Sequence, residues 1–535
     1  MKPGHAIGSL RHRLAQLCGA PHDPDPGSLS HSERLRCAGA GLVGGLLFDA
    51  TTLGLRHITG APSFPEDTSD LLVPFLPAAT FNSLLSALGP HGKELLVVGA
   101  LTGAVIAVVL LGTLYGGLVW RGWRPGRLAT VLGVVGFIGL WALFGPVLDA
   151  NDAGGTLLRR RAIGAGTLAL DVIVSVGAVY LLVGRPRSRE GGAGPEVPDR
   201  RAFLAALGGL GGGLLLGTGG LVAGFRSLAG ATNLDYEGRW SSAASPITPI
   251  DQHYVVSKNL VDPSVNVDTW RLQVDGLVRS PVTLTLDDLR RLPQRQEIVT
   301  LECISNSVGG GLMSTARWRG PRLAEVIGLA GAVDQRARFA IVSAVDGYFD
   351  SLPIDAALSS STVVALTMNE VTLPDRHGFP ARIVFPGHYG EKSMKWLARI
   401  EVAEHDHLGF YQRQGWSEDA GVRTWSRFDA IGSGRPLRAG HPAILRGHAF
   451  AGTRGIESVQ VSTDGGTTWG EADLDAAISP YAWRFFTSHW TPSHPGTYVL
   501  VVRAVDGAGA LQEERREDSP PRGSSGFHSV TAQVV

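Results

Sequence analysis

Apolar residues crowd positions 37 to 225 in runs with few charges, whereas positions 227 to 535 mix polar and apolar residues as a water-exposed chain does. A run of about 20 apolar residues is long enough to cross the hydrocarbon core of a bilayer. Such runs occur at 38–58, 95–119, 128–148, 163–183 and 203–225. A further stretch, 71–88, carries Pro74, Pro77, Asn82 and Ser83, and reads as a re-entrant or interfacial helix. The pattern predicts a cytoplasmic tail (1–36), a four-span helical bundle (37–184), and a basic loop with a fifth span (185–226). A Ser/Ala/Thr/Gly-rich linker (227–250) precedes a large polar half.

Within that half, the strand-like segments Trp270 to Gly276 and Ala381 to Phe385 alternate with helical pieces such as Thr285 to Arg290, where a Thr cap precedes an acidic first turn. This mixture predicts an α+β domain over 251–430. Over 431–535 the texture changes. Ile456 to Ser462 alternates, Asp464-Gly465 and Asp506-Gly507 supply hairpin turns, and Thr497 to Ala504 reads as a later strand, so an Ig-like β-sandwich is expected.

Charge orients the bundle. Arg11, Arg13, Arg34 and Arg36 precede the first span, Arg121, Arg124 and Arg127 follow the second, and Arg185, Arg187, Arg189, Arg200 and Arg201 follow the fourth. Arginine-rich loops stay in the cytoplasm, so the N-terminus is placed inside and the polar half outside. Arg159, Arg160 and Arg161 run against this assignment. Asp199-Arg200-Arg201-Ala202-Phe203-Leu204, followed by a Gly-rich apolar stretch, resembles an internal twin-arginine export signal, or is a plain positive flank. Asp49 and Asp171 lie within spans, where a carboxylate serves either proton or quinone chemistry or helix-to-helix hydrogen bonding. His57 and His91 fall at or beyond span ends, and Cys-x-x-Cys-His is absent, so no haem is expected.

Lys plus Arg and Asp plus Glu balance at 48 each, which gives no global field pointing to nucleic acid. Cysteine usage is more telling. Cys303 is the only cysteine after Cys37, at the end of the β-like Thr300-Leu301-Glu302 and at the start of the loop Ile304-Ser305-Asn306-Ser307-Val308-Gly309-Gly310. An exported lone thiol has no disulfide partner in its own chain. A buried inert cysteine is one reading, and a metal ligand facing a cleft is the other. Zinc is disfavoured because no second Cys or close His lies nearby.

The Cys303 segment resembles the sulfite oxidase family of molybdopterin enzymes. Ser314 to Leu323, Gly347 to Pro353, His377 to Arg382, Pro386-Gly387 and Gly390 to Leu397 extend the likeness. Gly455 to Trp469 resembles that family's dimerisation domain, so the likeness covers about 251–535. The resemblance implies molybdenum-molybdopterin as cofactor, with Cys303 as both its metal ligand and a catalytic residue. Soft thiolates suit such a metal. It implies Tyr348 as the second catalytic residue and Arg382, Lys392, Ser393 and Lys395 as cofactor-binding residues. His388, Lys258, Asn259, Ser305 and Asn306 join them near the expected pocket.

At the positions where this family presents arginines to sulfite, the chain has Val256 and Ser307. The expected reaction is oxygen-atom transfer on a small substrate, with a neutral sulfoxide an alternative to sulfite. An external electron carrier such as a cytochrome or quinone, and a homodimer, are implied with it. The competing reading makes the polar half a non-catalytic β-rich binding module on a membrane anchor.

Overall fold

The computed structural model describes residues 31–59, 63–72, 80, 92–121, 123–148, 157–183, 245–259, 262–432, 436–517 and 519–535. The expected fifth span at 203–225, the paired Arg200 and Arg201, and nearly all of the 71–88 stretch lie outside them. The chain divides into two units.

The first unit is helical: α1 (His31–Thr59), α2 (Phe64–Leu72), α3 (Gly92–Trp120), α4 (Pro125–Leu148) and α5 (Leu157–Val183). Among the described residues, four helices are long and apolar enough to cross a membrane, within α1, α3, α4 and α5, where the apolar runs predicted them. Small residues let the helices approach closely. A Cβ on Gly112 of α3 would stand 2.9 Å from Gly41 Cα of α1. Asp49 and Asp171 are buried in this unit, and Asp171 bonds the Thr52 hydroxyl, an arrangement that suits helix-to-helix bonding. Arg56 of α1 pairs with Glu66 of α2 at 2.7 Å.

The second unit begins with β1 (Leu272–Gly276), β2 (Val282–Leu284), α6 (Leu286–Arg291), β3 (Arg295–Glu302), β4 (Met313–Gly320), β5 (Phe339–Ala344) and β6 (Phe349–Pro353). Next come β7 (Val363–Ala365), β8 (Thr367–Met368), β9 (Val371–Thr372), β10 (Arg382–Val384) and β11 (Leu397–Ala403). The helix α6 starts as its sequence predicts: the Thr285 hydroxyl accepts from Asp288 N, and Asp288 Oδ2 accepts from Thr285 N at 2.8 Å. One sheet runs β2-β1-β11-β5-β6, with β1 and β11 parallel, and a second runs β3-β4-β8-β9. The ribbon β10-β7 completes the predicted α+β domain.

A two-sheet sandwich follows: β12 (Trp425–Ile431), β13 (Ala443–Phe450), β14 (Ile456–Ser462), β15 (Gly470–Glu471), β16 (Asp473–Leu474), β17 (Arg484–Trp490), β18 (Gly496–Asp506) and β19 (His528–Val534). The sheets β12-β13-β17-β16 and β15-β14-β18-β19 close on one core containing Leu445, Val459, Phe486, Leu500 and Val502. Strand β12 crosses the boundary expected at 430/431, because buried Phe428 belongs to this core. The expected linker also ends earlier than 250. Thr248 N donates to Thr315 O at 2.8 Å, which ties this segment to β4.

Candidate active site

Strand β3 delivers Glu302 opposite Met313 of β4, and the chain leaves the sheet at Cys303. Cys303 N donates to Leu312 O at 2.9 Å, and Asn306 N to Cys303 O at 2.9 Å, so the loop folds back tightly. The Asn306 amide staples it: Nδ2 donates to Glu302 Oε1 at 3.0 Å, and Oδ1 accepts from Leu312 N at 3.0 Å. Both ends of an amide expected to face the cofactor are therefore bonded within the loop, because a turn this buried must satisfy its own backbone. Ser305 Oγ lies 2.9 Å from Cys303 Sγ.

The thiol is 9% exposed and borders an apolar cluster with Tyr254, Leu301, Leu312 and Trp318, drier than the polar loop sequence suggested. Burial pushes the Cys303 thiol up to about 11, Ser305 opposes this, and Glu391 and Glu302 add to it. A thiol in such surroundings ionises only against a strong cation, and a coordinated metal ion supplies one.

Arg382, on β10, is buried. Its Nη1 donates to His377 O at 3.1 Å, its Nη2 to Ser393 O at 2.8 Å, and its guanidinium stacks 4.8 Å from the centre of Trp318. Its Nε is buried with no protein partner, as is Nε2 of His253. The His253 and His377 rings meet edge to face, 5.1 Å apart. Burial lowers His253 to about 3 and His377 to about 2, and Arg382 pushes both the same way. The sequence assigned no role to either histidine, although His377 opens a segment that carries the family resemblance. A histidine's burial beside an arginine is set by contacts between segments far apart in sequence, here 253, 377 and 382.

The loop after β10 divides the residues expected there. Lys392 Nζ donates to Asp350 Oδ1 at 2.7 Å and to Ser351 O at 3.2 Å, with Asp350 fully buried. Its ammonium thus serves a buried carboxylate, because an unpaired charge at that depth costs several kcal/mol, roughly 3–5. Ser393 Oγ accepts from Phe385 N at 3.0 Å. The His388 ring stacks on Phe385 at 4.2 Å, with Nδ1 3.2 Å from Pro386 O. Lys395, half-buried, sits 4.1 Å from the centre of Trp396 and donates to Arg376 O. Lys258 lies 3.9 Å from Asp346, and Asn259 is buried.

Tyr348 donates its phenol to Glu391 O at 3.1 Å and lies 3.5 Å from Asp350 Oδ2. The Glu391 carboxyl, unremarked in the sequence, accepts from Gln412 Nε2 at 3.2 Å through Oε1, while Oε2 is buried without a partner. Burial and then Asp350 push it up to about 8, against Lys392. Glu302 is likewise raised to about 8 by burial, against the Asn306 hydrogen bond. Val256 packs against the apolar cluster that includes Cys303, and Ser307 is exposed.

The two buried histidines give a pH dependence. Unfolded histidine gains a proton below about pH 6.5, whereas these stay neutral to about 3 and about 2. Stability present above about pH 6.5 is therefore lost as pH falls, by about 2 kcal/mol for the pair between about pH 6.5 and 5.5. Urea titration of the cofactor-free full chain checks this. An equally steep acid loss in His253→Gln/His377→Gln would contradict it.

A family model for the oxidoreductase molybdopterin binding domain matches residues 259–411, and one for the Mo-co oxidoreductase dimerisation domain matches 435–518. Mitochondrial sulfite oxidase of Rattus norvegicus is 30% identical over 342 residues, covering 54% of this chain and 62% of the relative. Sulfite oxidase of Gallus gallus is 31% identical over 314 residues, covering 50% and 68%. Nitrate reductase [NADH] of Lotus japonicus is 29% identical, covering 50% and 37%. Among solved structures, the sulfane dehydrogenase SoxCD from Paracoccus pantotrophus aligns with a TM-score of 0.49 at 22% identity, over 55% of this chain and 85% of that one.

The residues present fit a molybdopterin cofactor. The thiol needs a metal to ionise, and Arg382 Nε is a buried donor without a protein partner, suited to an anionic phosphate. With both matched domains in order and the Gallus gallus enzyme 31% identical and 68% covered, the chain belongs to the sulfite oxidase family of molybdopterin-dependent oxidoreductases, with molybdenum-molybdopterin as its cofactor.

Proposed function

We propose that this chain is a membrane-anchored enzyme that transfers an oxygen atom to or from a small neutral substrate, with a sulfoxide favoured over sulfite. The observation that carries the reading is the buried Cys303 thiol at the end of β3, 2.9 Å from the Ser305 hydroxyl. When bound, the molybdenum centre supplies two-electron oxygen-atom exchange. Cys303 holds the metal, while Arg382, Lys395 and Lys258 hold the anionic tail of the pterin. Tyr348 orients the substrate, and its phenol is held by the backbone carbonyl of Glu391. Ser305 tunes the thiolate by hydrogen bonding, and Asn306 shapes the pocket wall.

The substrate preference rests on Val256, an apolar side chain beside the Cys303 cluster where an arginine fork would suit a dianion. The helical unit anchors the enzyme with its N-terminus in the cytoplasm and the polar half outside, and the basic loop and fifth span at 185–226 serve as a twin-arginine signal. A cytochrome or quinone exchanges electrons with the site. The sandwich is Ig-like and forms a homodimer.

Two dye-linked assays of the purified holoenzyme test the reaction. A sulfoxide takes two electrons from a reduced viologen and two protons, releasing sulfide and water; sulfite oxidation by ferricyanide runs the opposite way. Sulfoxide reduction at least tenfold above sulfite oxidation in kcat/KM is expected. Faster sulfite oxidation refutes the substrate reading, and a purified chain lacking molybdenum and pterin favours the binding-module reading.

A further inference from the structure

The loop that follows Cys303 is held from outside its own domain. Arg427, on β12 of the sandwich, donates through Nη1 to Gly310 O at 2.7 Å and to Gly309 O at 3.2 Å. Its direction is fixed by Asp429, which accepts from Arg427 Nε at 2.8 Å and also lies 2.8 Å from His448 Nδ1. Ser524 Oγ donates to Asn306 O at 2.7 Å, and Ser519 Oγ donates to Ile304 O. The His528 ring covers Gly309, whose φ is +76°; a Cβ there would stand 2.5 Å from the imidazole. His528 Nδ1 accepts from Phe428 N at 3.0 Å, which locks the ring in place.

Carbonyls at Ile304, Asn306, Gly309 and Gly310 therefore all accept from sandwich-side groups between Arg427 and Ser524. The loop's internal bonds close the turn around Asn306, but they leave these carbonyls to the neighbouring domain. A part-buried carbonyl that loses its donor is costly, so the sandwich adds to what the loop's internal bonds supply in holding the turn.

We infer that the C-terminal sandwich is a structural half of the active site, with Arg427 and Ser524 as positioning residues that fix the orientation of Cys303 through its loop. The inference rests on the reading of Cys303 as the metal's sulfur ligand. Any event that shifts the sandwich, pairing with a second copy included, reaches the thiolate through these bonds. The sandwich is then a lever on the metal site as well as an assembly surface.

The test uses Arg427→Gln and Ser524→Ala in the full chain, with Arg427→Lys as the milder variant and Ser426→Ala as control. Ser426 bonds Gln512 inside the sandwich and does not touch the loop. The first readout is the Mo(V) electron paramagnetic resonance spectrum of the holoenzyme. The second is the alkylation rate of Cys303 in cofactor-free full chain, followed by peptide mass spectrometry. Loss of one or two buried hydrogen bonds raises the opened-loop population by about tenfold. A shifted spectrum and about tenfold faster alkylation are expected in Arg427→Gln and Ser524→Ala, less in Arg427→Lys, and neither change in Ser426→Ala. Unchanged spectra and rates, or a control that moves as far, overturn the inference. If Cys303→Ser leaves the spectrum untouched, the ligand reading has failed, while the alkylation rates still report on the clamp.

Discussion

Replacing Cys303 by serine is expected to remove one sulfur neighbour from the molybdenum and to lower turnover by more than a hundredfold. Outer-shell partners of metal ligands are already worth about 10–100-fold in metal affinity or activity, and Cys303 is proposed as a direct ligand. The fold should survive. The new hydroxyl stays near the Ser305 oxygen that now lies 2.9 Å from the sulfur, so it finds a hydrogen-bond partner. The expected cost is about 1 kcal/mol. Molybdenum K-edge absorption counts the sulfur neighbours, and dye-linked assays read the turnover. An unchanged sulfur count together with wild-type turnover would refute the assignment and return Cys303 to the status of an inert core residue.

The largest stability effect is expected at Lys392. Lys392→Met leaves Asp350, fully buried on β6, without its ammonium partner at 2.7 Å. Breaking a buried pair from one side costs about 3–5 kcal/mol. Burial already pushes the Asp350 carboxyl above its usual range, with Lys392 as the main opposing influence. Removing Lys392 raises it further. Because the folded carboxyl then binds its proton more tightly than the unfolded one, the neutral form supports the fold at low pH, and that support is lost as pH rises through the folded value. The deficit should therefore be larger near pH 8 than near pH 5.5. Lys392→Met/Asp350→Asn should recover most of it. Urea unfolding at both pH values reads the difference. A deficit independent of pH, or a double variant no better than the single one, would show that the pair contributes packing rather than charge balance.

Lys392 marks where reading the chain alone stops. Its loop, with Lys392 and Lys395 three apart, resembled a cofactor cradle, and one ammonium turns out to be bonded to a carboxylate 42 residues earlier in the sequence. Local signals were legible because their partners are local. The Thr285 cap closes on Asp288, and the Asp464-Gly465 turn follows Ser462, whose hydroxyl bonds Asp464 at 2.7 Å. The apolar runs of α1, α3, α4 and α5 were legible for the same reason, since length and composition alone define them. Cys303 at a strand end was also visible in its flanking residues. The histidine pair beside Arg382 and the grip of Arg427 on Gly310 were not, because neither has a periodicity or a spacing. Contacts such as the 117 residues between Arg427 and Gly310 exist only once the domains have packed.

The parallel pairing of β1 with β11 sets an order of events during synthesis. Trp270 Nε1 bonds Leu397 O across 127 residues, and Gln273 pairs with Arg399. Contacts this distant in sequence form late, after their loop-closure entropy has been overcome. The ribosome must release residues through Ala403 before the central sheet can close. His253, Cys303, Tyr348 and Arg382 all precede that point, so the nascent chain carries them as unassembled parts. The pocket that these four residues share is therefore a product of the closed sheet and has no counterpart in any shorter stretch of the chain.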